Sequence, residues 1–379
     1  MPGTVHDVHD IRTETDIDPE LAARLRQSAE RTAVTGQPDP DTLAELRGSG
    51  LLGTAVPREH GGAGGDPAEV NRVVERLARL NPSLSIMAFQ HFAVSSRIAE
   101  WGSPDQKREL LPRLADGTCL AASAWSEQGA GAAKRHLSST AVRRPDGTWV
   151  LDGAKSFTTT ASVADLYLVL VRTGDLPTDP GSGYGAAGQT FFLVDAGNPG
   201  LVPDLSLDLV GMRGSATGFV SMRECVVADT DRLGPEGLAA QIIAGVRESG
   251  ATLGAVAVGV ALAAFELLVE HLGRRNQLAS PVVRDRLVSM ATRVESARAM
   301  VERAGARSSA DPGMTTLHSK LHASAVAEEI CLQAAGMLGS TGYTAASGVN
   351  RLLGDARAVA LMGPTNDLCR ELVASTWPN

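Results

Sequence analysis

The chain has 379 residues, 43% hydrophobic and 21% charged, enough to bury a large core in two or three packed units. Its 43 acidic and 35 basic side chains leave a formal charge of −8, a diffuse negative surface that repels phosphate backbones and argues against nucleic acid as a partner. The four cysteines, Cys119, Cys225, Cys331 and Cys369, contain no CxxC pair, which argues against a zinc site or disulfide framework and fits a reducing cytoplasm.

Residues 1–20 are polar and acidic where a secretory signal would be basic and then apolar, so no export is expected. From about 18 to 117 the pattern is helical, with apolar residues at three and four spacing in EVNRVVERLARL and KRELLPRLADG. GGAGGDP at 61–67 is a loop by composition. In SPDQ at 103–106, Ser103 reads as a helix N-cap, Pro104 as its first turn and Gln106 as the reciprocal member of a capping box.

Between about 119 and 234 the composition turns to short β-rich runs, TWVLDG, LYLVLVRT, TFFLVDA and GFVSMRECVVAD, divided by Gly, Pro and Asp turns. The stretch 173–190 reads as a surface loop. Past Pro235 helical periodicity returns and holds almost to the C-terminus. Residues 250–269 approach the length and apolarity of a membrane span, but Glu266, the flanking Arg247 and Glu248 and the many small residues predict a central bundle helix, and no membrane. The expected fold is α+β and mostly α: an N-terminal helical domain (1–118), a central β domain (119–234) and a C-terminal four-helix bundle (235–379). Neither a Rossmann glycine motif nor a P-loop is present.

Eight stretches, in order, resemble the acyl-CoA dehydrogenase family: LLGTAVPREHGGAG and WGSPDQKRELLPRLADG; then SEQGAGA, LDGAKSFTTTAS and GMRGSATGF; then RNQLASPV, LGSTGY and NRLLGDARAVALMGPTNDL. The resemblance implies FAD held without a Rossmann fold, between the β domain and the bundle, with its far end reached by a neighbouring subunit of a homodimer or homotetramer. It further implies that Trp125, Ser126 and Thr159 meet the flavin ring and that Phe157 packs on it. Arg275, Gln277 and Leu278 match the segment that reaches the partner's FAD, where a guanidinium suits phosphate, and Gly339, Thr365 and Asp367 match the C-terminal FAD contacts.

The family's oxidation removes a proton beside a thioester while a hydride leaves the neighbouring carbon, which requires a base. Where the family pattern carries its glutamate this sequence has Gly363, followed by Pro364. The alternative carboxylate position of some relatives falls on Ser249, leaving Glu248, one residue away, as a candidate. Ala132 and Ala133 stand for a usual Ser and Asp, Gly250 and Gly354 for arginines, and Gly336 for a glutamine that Gln333 replaces one turn earlier.

His91 sits on a helix expected to line the cleft, where a donor suits flavin-oxygen chemistry or a histidine simply completes the core. His318 and His322 share a helix face, but no third ligand supports a metal. The expected activity is an FAD-dependent oxidation of an acyl thioester, small-molecule or carrier-tethered, by an atypical base. Two alternatives stand beside it: a monooxygenase fed reduced flavin by a separate reductase, and a non-oxidative or binding protein on a repurposed scaffold. Neither the electron acceptor nor the reductase is named by the sequence.

Overall fold

The computed structural model describes residues 17–130, 133–175 and 184–378. Five α-helices open it: α1 (Pro19–Thr35), α2 (Pro40–Gly48), α3 (Pro67–Leu80), α4 (Pro82–Trp101) and α5 (Pro104–Ala115). Each starts on a proline directly behind a polar N-cap, namely Asp18, Asp39, Asp66, Asn81 and Ser103, whose side chain accepts a backbone N–H of the first turn. Proline suits that position because its missing N–H is one the helix does not use. The capping box expected at Ser103 and Gln106 is present.

The eight described strands are β1 (Ala121–Ala124), β2 (Thr140–Arg143), β3 (Trp149–Thr158), β4 (Leu166–Arg172), β5 (Gln189–Asp195), β6 (Leu201–Asp204), β7 (Gly218–Val227) and β8 (Arg232–Leu233). They form one mixed sheet in the order β6-β7-β3-β2-β4-β5-β8, with β1 parallel to β4. Alternation along β4 feeds two cores. Leu166, Leu168 and Leu170 pack with Ile98, Leu111 and Leu114 of the helices, while Tyr167, Val169 and Val171 pack with Trp149, Leu151 and Phe192 inside the sheet. Residues 176–183 of the loop expected at 173–190 lie outside the described residues, as does Ala132.

Six helices complete the chain: α6 (Ala239–Glu248), α7 (Gly254–Arg274), α8 (Pro281–Gly305), α9 (Pro312–Leu338), α10 (Gly348–Leu361) and α11 (Asn366–Ala374). Helix α7 is the one described helix long and apolar enough to cross a membrane, and it is buried at the centre of the bundle. It starts at Gly254, later than the expected 250. Gly250 has φ +86°, and a Cβ there would lie 2.4 Å from the Ala304 carbonyl oxygen. The Asn71 amide bridges the break, donating to Gly250 O at 3.0 Å and accepting from Thr252 N at 2.9 Å.

The β domain docks tightly on α10. A Cβ added at Gly354 would stand 2.4 Å from Val210 O, and the buried Asp355 carboxylate accepts the Met212 N–H at 2.5 Å. Glycine at 354 therefore permits a close backbone approach.

Candidate active site

The ends of β1 and β3 meet where the Ser156 N–H donates to Ser126 O at 2.9 Å. That contact sets Ser126 beside Phe157, whose ring is 63% exposed on a backbone held at φ +53°. A positive φ is uncommon and unfavourable for a bulky residue, so its neighbours must impose it. Beyond it, the buried Thr159 hydroxyl accepts a hydrogen bond from Thr217 Oγ1 at 3.2 Å, and Thr217 is in turn linked to Ser215 Oγ at 2.7 Å. Trp125 stacks at a tilt on Phe191, with ring centroids 4.9 Å apart, while its buried Nε1 and the buried Ser123 Oγ lack hydrogen-bond partners among the described residues. An exposed aromatic plate just before Thr159 in the chain, joined through its neighbour Ser156 to Ser126, fits a flat, polar-edged ring.

Directly behind Ser126, Glu127 and Lys155 form a buried ion pair at 2.6 Å. The Ser138 N–H and Oγ also donate to the Glu127 carboxylate, each at 2.6 Å. Burial alone would raise Glu127, but Lys155 and these donors outweigh it and hold the carboxyl at about 2. Burial pushes Lys155 down to about 8 against the pull of Glu127. A carboxylate so committed to its partners is a poor proton acceptor, and the pair instead ties β3 to the loop after β1.

Gly363 lies just past α10, before a cis bond to Pro364. Its segment is held from below by Lys320 of α9, whose Nζ donates to Met362 O at 3.0 Å, to Asn366 Oδ1 at 3.2 Å and to Pro364 O. Burial lowers Lys320 to about 8. From the β-domain side come Lys134 and Tyr184, with Lys134 Nζ 4.9 Å from the tyrosine ring centroid. A Cβ at Gly363 would lie 3.0 Å from Lys134 Nζ and 3.1 Å from the Tyr184 hydroxyl oxygen. The place expected to hold an anion is thus faced by a cation and a phenol.

Neither expected catalytic residue reaches this place. His91 is fully buried on α4, and its ring is committed to backbone: Nε2 lies 3.1 Å from Leu114 O, and Nδ1 accepts the Ala121 N–H at 3.2 Å. Burial pushes it down to about 4. His91 therefore ties α4 to α5 and β1 instead of facing a cleft. Glu248 is exposed at the C-terminal end of α6, not on the long helix α7, with its side chain leaning towards Gly313. Ser249 caps the end of α6 by donating to Val246 O at 2.8 Å.

All three segments match family models: residues 17–118 the acyl-CoA dehydrogenase N-terminal domain, 122–225 the middle domain and 238–377 the C-terminal domain. The chain belongs to the acyl-CoA dehydrogenase family. It is 31% identical to an L-prolyl-[peptidyl-carrier protein] dehydrogenase of Pseudomonas fluorescens, over 86% of this chain and 87% of that one. It is also 31% identical to a cyclohexane-1-carbonyl-CoA dehydrogenase of Geobacter metallireducens, over 93% and 92%. Among solved structures, one described as an FAD-dependent dehydrogenase superposes with a TM-score of 0.81 at 28% identity, covering 96% of this chain and 99% of that one. The expected fold and the expected kinship with flavin-dependent acyl oxidoreductases both agree with these relatives.

The remaining family positions are spread along the bundle. Arg275 and Gln277 are exposed just past α7, where Asn276 at φ +55° reverses the chain and Leu278 tucks back against the core. Gly339 is exposed at the end of α9 with φ +63°. Thr365 is the N-cap of α11, its Oγ1 accepting from Leu368 N at 3.3 Å, and Asp367 is exposed and paired with Arg370. Gln333 donates to Glu329 Oε1 at 3.0 Å, while Gly336 faces open space. His322 Nε2 lies 3.0 Å from Ser296 Oγ, and among the described residues no three potential ligands gather for a metal.

Proposed function

We propose that this chain is an FAD-dependent oxidoreductase that acts on an acyl thioester, presented either as a small molecule or on a carrier, without a carboxylate at 363. The observation that carries the reading is Phe157, an exposed ring on a strained backbone between Ser126 and Thr159, in a chain of this family. Trp125, Ser126, Phe157 and Thr159 would hold the flavin ring; Thr365 and Asp367 would lie towards its tail. Arg275, Gln277, Leu278 and Gly339 would serve the cofactor of a second copy in a homodimer or homotetramer. In support of such an assembly, Val282, Val288, Leu332, Tyr343 and Leu361 expose apolar surface on α8, α9, α10 and the α9–α10 turn. The division into 1–118, 119–234 and 235–379 belongs to the same proposal.

When bound, FAD supplies a hydride acceptor. The chain's own part is to seat the ring on Phe157 and to direct the hydroxyls of Ser126 and Thr159 at its polar edge. The loop held by Lys320 then closes the substrate side, where Lys134 and Tyr184 face the position expected for the carboxylate and can donate hydrogen bonds to the substrate.

The purified protein should be yellow with stoichiometric FAD, and anaerobic acyl thioesters should bleach it. A colourless protein that takes up no FAD would overturn the reading. So would the absence of bleaching together with oxygen-dependent product when reduced flavin is supplied, which is the monooxygenase outcome. His91, with both ring nitrogens committed to backbone, lends that alternative no support.

A further inference from the structure

A cavity of about 210 Å³ opens between α4, α6 and the turn at 249–251. Its walls are mainly apolar, among them Phe89, Phe92, Ala93 and Val246, and at them stand Arg97 and the hydroxyls of Ser96 and Ser249. Arg97 is only 5% exposed. Its Nη1 lies 3.1 Å from Oε2 of the half-exposed Glu100, yet among the described residues neither Nη1 nor Nε makes a hydrogen bond. Gly245 of α6 leaves room for the head group: a Cβ there would meet Nη1 at 3.2 Å.

A guanidinium buried with donors unmet is costly, and a single rim carboxylate in poor geometry does not complete its set. Apolar walls with a few convergent polar groups define a ligand site, and here the polar groups are a cation and the Ser96 hydroxyl, the Ser249 hydroxyl being committed to Val246 O. The complementary ligand has a short aliphatic body and ends in an oxyanion that can take two parallel N–H bonds.

Resting on the acyl-thioester reading above, we infer that Arg97 is a specificity-determining residue that selects an acyl group ending in a carboxylate, bound with its aliphatic segment along Phe89, Phe92 and Ala93. Glu100 shares the guanidinium while the cavity is empty and yields to the ligand.

The test is calorimetric and independent of turnover. Succinyl, glutaryl and adipyl pantetheine thioesters are titrated into the FAD-loaded protein, each against its neutral terminal-amide analogue, pantetheine being common to coenzyme A and carrier proteins. At one of these lengths the carboxylate should bind at least about tenfold more tightly than the amide. Arg97→Gln should bring that ratio to about one while leaving the amide's affinity within about twofold, and Arg97→Lys should keep part of the preference. A ratio near one at every length in the unmutated protein overturns the inference without needing any variant, and so does a preference that survives Arg97→Gln. Binding with no preference sinks only the role of Arg97; binding of none of the six ligands sinks the acyl-thioester reading and this inference with it.

Discussion

Gly363 and Lys134 meet across the seam between the bundle and the β domain, with room for a Cβ at 363 only 3.0 Å from Lys134 Nζ. A glutamate introduced there would therefore place its carboxylate beside an ammonium and the Tyr184 hydroxyl. Both favour the ionised form and hold its pKa down, which weakens it as a base for a reluctant C–H acid. Gly363→Glu alone should give no anaerobic flavin bleaching by acyl-CoA above that of the unmutated protein. Adding Lys134→Met should raise the rate above that of the single variant, measured by stopped-flow absorbance near the flavin band. Full oxidation by the single variant would show that Lys134 does not restrain the new carboxylate.

The order of helices, sheet and helices was legible because each rests on local period and punctuation, and the same punctuation ran further than one helix. Polar-residue–proline pairs at Asp18, Asp39, Asp66, Asn81 and Ser103 mark five helix starts, and only the last also carries the glutamine of a capping box. The break at Gly250 carries no signal in the sequence because apolar periodicity runs straight through it; the chain there makes a close approach to Ala304 of another helix. The two readings of His91 stay open in the sequence for a similar reason, since helical position does not say which neighbours a side chain meets. Lys134, Tyr184 and Lys320 carry no local signal at all. They converge on residues 362–366 from other parts of the chain, and only the fold brings them there.

His91 supplies a stability prediction. Its folded-state pKa of about 4 lies below the ordinary 6.5 because the ring is buried, so the unfolded chain binds a proton first as pH falls. Stability from this group is complete above about pH 6.5 and is lost as pH falls towards 4, a difference of about 3 kcal/mol at roughly 1.4 kcal/mol per pKa unit. Urea unfolding between pH 7 and 4 should show that slope, and His91→Ala should flatten it. The same variant should cost about 2–4 kcal/mol at pH 7, from the cavity and from the unpaired Leu114 O and Ala121 N–H. Its bound-flavin spectrum should not change; an altered flavin band would return His91 to the active site.

Lys320 anchors the segment that carries Gly363, and its removal leaves Met362 O, Pro364 O and Asn366 Oδ1 without that donor. Lys320→Met should cost about 2 kcal/mol or more near pH 7.5, and hydrogen exchange should rise at 362–366 before it rises in the body of α9. The pH sign follows from burial, which brings the folded-state pKa to about 8 from 10.5. The pH-dependent part of this lysine's contribution is therefore fully present only above about 10.5 and is lost as pH falls through 8, where the hydrogen bonds remain, so the unmutated protein should gain on the variant between those values. A gap in unfolding free energy that stays constant from pH 8 to 10.5 would contradict the buried-ammonium account.

Phe157 separates a cofactor role from a folding role because the two call for opposite effects. The ring is 63% exposed, so its truncation removes little from the core, and its φ of +53° is unfavourable for any side chain. Phe157→Gly should therefore leave the apoprotein's thermal midpoint unchanged or slightly raised, since glycine relieves the strained backbone. FAD affinity should fall by about tenfold or more in both Phe157→Gly and Phe157→Ala, read from flavin retained through gel filtration and from fluorescence titration of apoprotein, because the aromatic plate is lost. Phe157→Trp should retain most of it. If Phe157→Ala keeps FAD as firmly as the unmutated chain, the strained exposed ring does not hold the flavin, and the cofactor site built around Ser126 and Thr159 is misassigned.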